Sequence, residues 1–92
     1  MYYQISLHHP KPGKEDLLID SMHRFGAAAK TQAGLQRVHT LCDSEKNVLV
    51  GLAIWDSKEA MLAARPVLLE AVKDDDFEAW EDAVEGFRLE EI

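Results

Sequence analysis

Few side chains in this sequence can do acid–base or nucleophilic chemistry near neutral pH. Four histidines (His8, His9, His23 and His39) and one thiol (Cys42) make up the set. Imidazole is the side chain whose ordinary titration lies closest to neutrality. A histidine facing a cavity can take a proton from a bound molecule, so His8 and His39 are the candidate general bases. The plainer alternative is that both are polar residues at the rim of a sheet. Arg37 lies two residues before His39 and shares its strand face, where a cation could hold a developing anion. His8 and His9 are strand neighbours that point to opposite faces, so they cannot bind one metal together. No His-x₃-His, Cys-x₂-Cys or Glu-x₂-His spacing occurs, and no metal is expected. Nothing marks Cys42 as an activated thiol, and its parity suggests a buried one. Met22, Phe25 and Trp55 are either core or the soft wall of an apolar pocket.

The elements that would position these groups follow from periodicity. Residues 2–9 alternate, with Tyr3, Ile5 and Leu7 between Gln4, Ser6 and His8, which reads as a strand ended by Pro10, Pro12 and Gly13. Residues 14–33 carry Leu18, Met22, Phe25 and Ala29 at helical spacing, with Glu15 and Asp16 in the first turn and Gly34 as the stop. His23 falls on the polar side of that helix. Residues 35–43 alternate again, and a polar turn at 43–47 leads into residues 48–55. Ser57 can cap a helix from 58 to about 64, with Pro66 opening a second short helix over 67–73. Asp76 can cap a short turn holding Phe77 and Trp80, and residues 84–91 close the chain as a strand.

The order strand, helix, strand, strand, helix, strand predicts an α+β fold. It is the ferredoxin-like βαββαβ arrangement, a four-stranded antiparallel sheet with its helices on one face, filling residues 1–92 as a single domain. The segment Val48-Leu49-Val50-Gly51-Leu52-Ala53-Ile54-Trp55 is apolar at both parities, and such a strand is covered on both faces. Two helices cover only one. A second copy, packed sheet to sheet, would bury the other, so a homodimer is expected.

Composition excludes several classes. The net charge is −7, and residues 70–92 hold ten acidic against two basic side chains, so no basic patch exists for nucleic acid or an anionic membrane. No apolar run approaches the ~20 residues that span a bilayer. The N-terminus lacks a basic stretch followed by an apolar core, and a single cysteine offers no disulfide framework, so a cytoplasmic location is expected.

Three segments carry a resemblance. They are Lys11-Pro12-Gly13-Lys14-Glu15, Gln32-Ala33-Gly34-Leu35, and Trp55-Asp56-Ser57-Lys58-Glu59-Ala60-Met61. Together they resemble the antibiotic biosynthesis monooxygenase domain of the dimeric α/β-barrel superfamily. The resemblance implies a sheet-to-sheet dimer and a ligand cavity between sheet and helices. It also implies oxygenation of an aromatic or quinol-like small molecule with no cofactor. The residues expected around the cavity are Ser6, Met22, Phe25, Arg37 and Trp55, with His39 or His8 as base. Haem-degrading members place an Asn, a Trp and a His where this chain has Ser6, Ala64 and the region of Asp74, so haem is not an expected ligand. The alternative is the same dimer holding a small apolar or aromatic ligand without turning it over.

Overall fold

A computed structural model describes residues 1–92. Strand β1 (Tyr2–Pro10) leads to helix α1 (Glu15–Ala29), then β2 (Leu35–Asp43), β3 (Val48–Trp55), α2 (Lys58–Ala71), the one-turn α3 (Phe77–Trp80) and β4 (Glu81–Glu90). The four strands form one antiparallel sheet in the order β2-β3-β1-β4, the ferredoxin-like topology. No helix is long and apolar enough to cross a membrane.

The sequence rules largely set the element boundaries. The Ser57 hydroxyl accepts from the Ala60 N–H at the start of α2, and the Asp76 carboxylate accepts from the Ala79 N–H at the start of α3. Two expectations about the helices need correction, and the last strand begins at Glu81, ahead of the expected start at residue 84. Pro66 does not divide α2, which runs unbroken from 58 to 71. A proline costs the helix its bond to the carbonyl four residues back. That carbonyl belongs to Leu62, which is exposed along with Pro66, so water can satisfy it. The first helix stops at Ala29, earlier than residue 33, and a turn over 30–33 reaches Gly34. Gly34 has φ +90°, and a Cβ there would lie 2.6 Å from the Ala60 Cβ. Only glycine lets the chain turn into β2 against the first turn of α2.

Register sorts the sheet into two faces. Tyr2, Gln4, Ser6 and His8 of β1 pair with Trp55, Ala53, Gly51 and Leu49 of β3 and look towards the helices. At one end of this face the core is close-packed: Tyr2, Ala53 and Trp55 meet Ala29 of α1 and Met61, Ala64 and Leu68 of α2. The opposite face carries Tyr3, Ile5 and Leu7, then Val50, Leu52 and Ile54, with Leu41, Phe87 and Leu89 on the outer strands. None of these nine apolar side chains is fully buried within one chain.

Candidate active site

A cavity of about 210 Å³ lies between the sheet and the middle of α1. Its floor explains it. One row across the sheet reads Thr40, Gly51, Ser6 and Gly86, every residue small, so α1 cannot pack down on it as it does on the Trp55 end. Met22 and Phe25 of α1 form the roof, and Val72 and Phe77 close one side. The segment carrying Val72 and Phe77 is tied to α1 by charge. Arg24 donates to both carboxylate oxygens of Asp75 at 2.9 and 3.1 Å, and the buried Ser21 hydroxyl donates to the same carboxylate at 2.6 Å. The neighbouring carboxylates of Asp75 and then Asp20 raise the Arg24 pKa further above its ordinary value.

Into this mostly apolar space project three polar side chains from alternate positions of β1: Gln4, Ser6 and His8. His8 is bonded through both ring nitrogens. Its Nδ1 lies 2.7 Å from Glu81 Oε1, and its Nε2 lies 3.0 Å from Ser6 Oγ. A carboxylate only accepts, so Nδ1 carries a proton, and in the neutral imidazole the Nε2 lone pair then faces the Ser6 hydroxyl. The imidazole side chain is 13% exposed and that of Glu81 6%. Gln4 is oriented from behind: the Trp55 indole N–H donates to Gln4 Oε1 at 3.1 Å, which leaves the amide NH₂ available to a ligand.

Glu81 arrives through a break in register. His8 pairs with Val84 and His9 with Ala83, but Pro10 pairs with Glu81, so β4 holds one extra residue. In a regular strand Glu81 would share the parity of Ala83 and Glu85 and face away from the helices. The bulge turns it onto the cavity side, beside His8.

The residues expected around the site divide clearly. Ser6, His8, Met22 and Phe25 line the cavity. Arg37 and His39 are exposed and pair with Ile54 and Leu52, which puts their side chains on the helix-free face. By parity, His39 meets the cavity wall through its main chain only. The alternation visible in Val38, Thr40 and Cys42 fixes this, because those residues share the sheet face that carries the cavity floor. Trp55 is fully buried in the core and reaches the site only through Gln4. Cys42 is exposed, since β2 is an edge strand that the helices do not reach at that end. Gln4 and Glu81 complete the site. Parity with Ser6 and His8 marks Gln4 in the sequence, whereas no local pattern marks Glu81.

Solved structures share this architecture over nearly the whole chain. Rv0793 from Mycobacterium tuberculosis matches with a TM-score of 0.84 at 16% identity, covering 99% of this chain and 94% of that one. SnoaB, a cofactor-independent oxygenase from Streptomyces nogalater, matches at 0.79 and 18%, covering 99% and 92%. A structure described as an antibiotic biosynthesis monooxygenase matches at 0.79 and 11%, covering 100% and 99%. The chain shares the fold of the antibiotic biosynthesis monooxygenases. No family model and no curated protein sequence matches it. At these identities the likeness concerns the fold alone.

Proposed function

We propose that this chain is a small monooxygenase-like protein that oxygenates a compact aromatic or quinol-like molecule without a cofactor, with His8 as its base. The observation that carries this reading is an imidazole held by hydrogen bonds at both ring nitrogens in the wall of an apolar cavity. Bound against it, an acidic C–H or O–H of the substrate gives its proton to Nε2, directly or through the Ser6 hydroxyl. Glu81 stabilises the imidazolium that forms. The free NH₂ of Gln4 donates to the oxygen on which negative charge develops. The resulting electron-rich anion adds dioxygen at a carbon that still carries a hydrogen; the peroxide takes the proton back from His8 and loses water, which leaves a carbonyl at that carbon. One oxygen atom enters the product and the other leaves as water. The apolar roof of Met22 and Phe25 keeps bulk water from the anion.

Volume bounds the substrate. About 210 Å³ is below the roughly 300–1,000 Å³ of drug-sized pockets and above the roughly 150 Å³ that holds benzene. One substituted ring fits better than a polycycle. The same small volume favours, as a second reading, a dimer that binds such a ring without turnover. Oxygen uptake with single-ring hydroquinones against anthrones separates the two. Saturable uptake with the single rings, lost in His8→Ala, supports the enzyme. Calorimetric binding with no uptake supports the binder, and neither signal defeats both.

The second apolar face supports a homodimer packed sheet to sheet, in which Ile5, Leu52, Phe87 and their neighbours cover their counterparts.

A further inference from the structure

The serine beside His8 has a chemistry that oxygenation does not require. Ser6 Oγ, the His8 imidazole and the Glu81 carboxylate form an unbroken chain of hydrogen bonds, 3.0 Å and then 2.7 Å. A hydroxyl on a base that is itself oriented by a buried carboxylate is the arrangement that activates serine as a nucleophile, whatever fold carries it. Three further features belong with it. The hydroxyl opens into the cavity. The imidazole is nearly enclosed, and its carboxylate partner more so. The Gln4 amide, two residues before Ser6 on the same face, has its oxygen held by Trp55 and its NH₂ free. That NH₂ is a donor of the kind that stabilises a carbonyl oxygen as it becomes an oxyanion.

We propose that Ser6 is a nucleophile and that the protein transfers the acyl group of small aryl esters to water. Ser6 Oγ forms a bond to the ester carbonyl carbon while its proton passes to His8 Nε2, and the C=O π pair moves onto oxygen beside Gln4. The tetrahedral adduct reforms its carbonyl by breaking the bond to the aryl oxygen, which leaves with the proton from His8. Water then repeats the sequence on the acyl-serine, giving the carboxylic acid and free Ser6. No oxidant or cofactor takes part. The cavity selects the ester: an acetyl group on one substituted ring fits about 210 Å³, and a long acyl chain does not.

The test uses the full chain and 4-nitrophenyl acetate. The expected result is a burst of 4-nitrophenolate close to one equivalent per chain, with a mass increase of one acetyl group that peptide mapping places on Ser6. Ser6→Ala and His8→Ala should each lose about 100-fold or more in acylation rate. Glu81→Gln should lower the acylation rate constant by about 100-fold or more with KM little changed, because it acts through the imidazole. Ser6→Cys should still take the acetyl group, now on sulfur. Acetyl groups found only on lysines, tyrosines or the N-terminus, with Ser6→Ala as fast as the parent, overturn the proposal. If Ser6→Ala does not fold, an aryl fluorophosphonate on the unmodified protein decides: an adduct on Ser6 supports the assignment, and no adduct overturns it.

Discussion

Gly51 and Ser6 face each other across β3 and β1 with no room for a methyl group between them. A Cβ at position 51 would lie 2.7 Å from Ser6 Oγ and 3.4 Å from Met22 Cε. The missing side chain both hollows the floor of the cavity and leaves the Ser6 hydroxyl free to point at His8. In Gly51→Ala the serine must rotate and give up its 3.0 Å bond to the imidazole, or β1 and β3 must shift locally. Overpacking of this kind typically costs about 1–3 kcal/mol. The denaturant midpoint should fall, and affinity for single-ring ligands should fall with it. An unchanged midpoint together with unchanged affinity would show that the floor is looser than the geometry implies.

Glu81→Gln tests which nitrogen of His8 carries the proton. A carboxylate accepts from Nδ1–H and leaves the Nε2 lone pair facing Ser6 and the cavity. An amide at the same place can donate to Nδ1, which moves the proton to Nε2 and removes the base. Turnover should drop about 100-fold or more, as expected for a base held in the wrong tautomer. Nitrogen NMR of labelled histidine reports the tautomer directly. A variant with the parent tautomer and full activity would mean that Glu81 does not orient the ring. The loss in His8→Ala should likewise exceed that in His39→Ala by about tenfold or more, because the His39 side chain lies on the other face of the sheet.

What could be read from the residues, and what could not, divides at the same two places. Alternation along β1 and β2 and the doubly apolar β3 are enough to order the elements and to expect a second covered face, because strand parity is a local property. The cavity floor needs three register pairings to bring Thr40, Gly51, Ser6 and Gly86 into one row, and no single segment shows it. Glu81 needs a bulge, an extra residue whose position depends on the partner strand. Arg37 and His39 are a different case. Val38, Thr40 and Cys42 alternate with Arg37, His39 and Leu41, and a strand cannot present adjacent residues to one cavity, so the two sets compete for it. Pro66 in α2 shows the weight of tertiary packing, since Met61, Ala64 and Leu68 are buried on either side of it and hold the helix together.

The helix-free face makes an assembly prediction. His39, Leu52, Ile5 and Phe87 form one row across it, and Arg37, Ile54, Tyr3 and Leu89 the next. If two copies cover each other there, light scattering at micromolar concentration should give twice the chain's 10.4 kDa. Leu52→Lys places an unpaired ammonium in the middle of that contact, at a cost of several kcal/mol per buried charge. The variant should run at the single-chain mass while keeping its far-ultraviolet spectrum, because Leu52 contributes nothing to the core beneath the helices. A parent protein at the single-chain mass would contradict sheet-to-sheet pairing.

Tyr3 gives the fold a dependence on alkaline pH whose sign can be worked out. Its hydroxyl donates to the Glu91 carboxylate beyond the end of β4. That hydrogen bond, then partial desolvation, then repulsion between phenolate and carboxylate, all raise its pKa above the ordinary value of 10.0. The folded chain therefore holds the Tyr3 proton more tightly than the unfolded chain. Stability from this pair is fully present below the unfolded value and is lost as pH rises through the folded one. Its size is small, because the Glu91 carboxylate is exposed and salt screens the pair. As pH rises above the ordinary tyrosine value, melting temperature should fall more steeply in the parent than in Tyr3→Phe. The tyrosinate absorbance that Tyr3→Phe removes should belong to the later part of the titration. Equal slopes for the two proteins, with a Tyr3 step at the ordinary tyrosine position, would show that the bond to Glu91 does not form in solution.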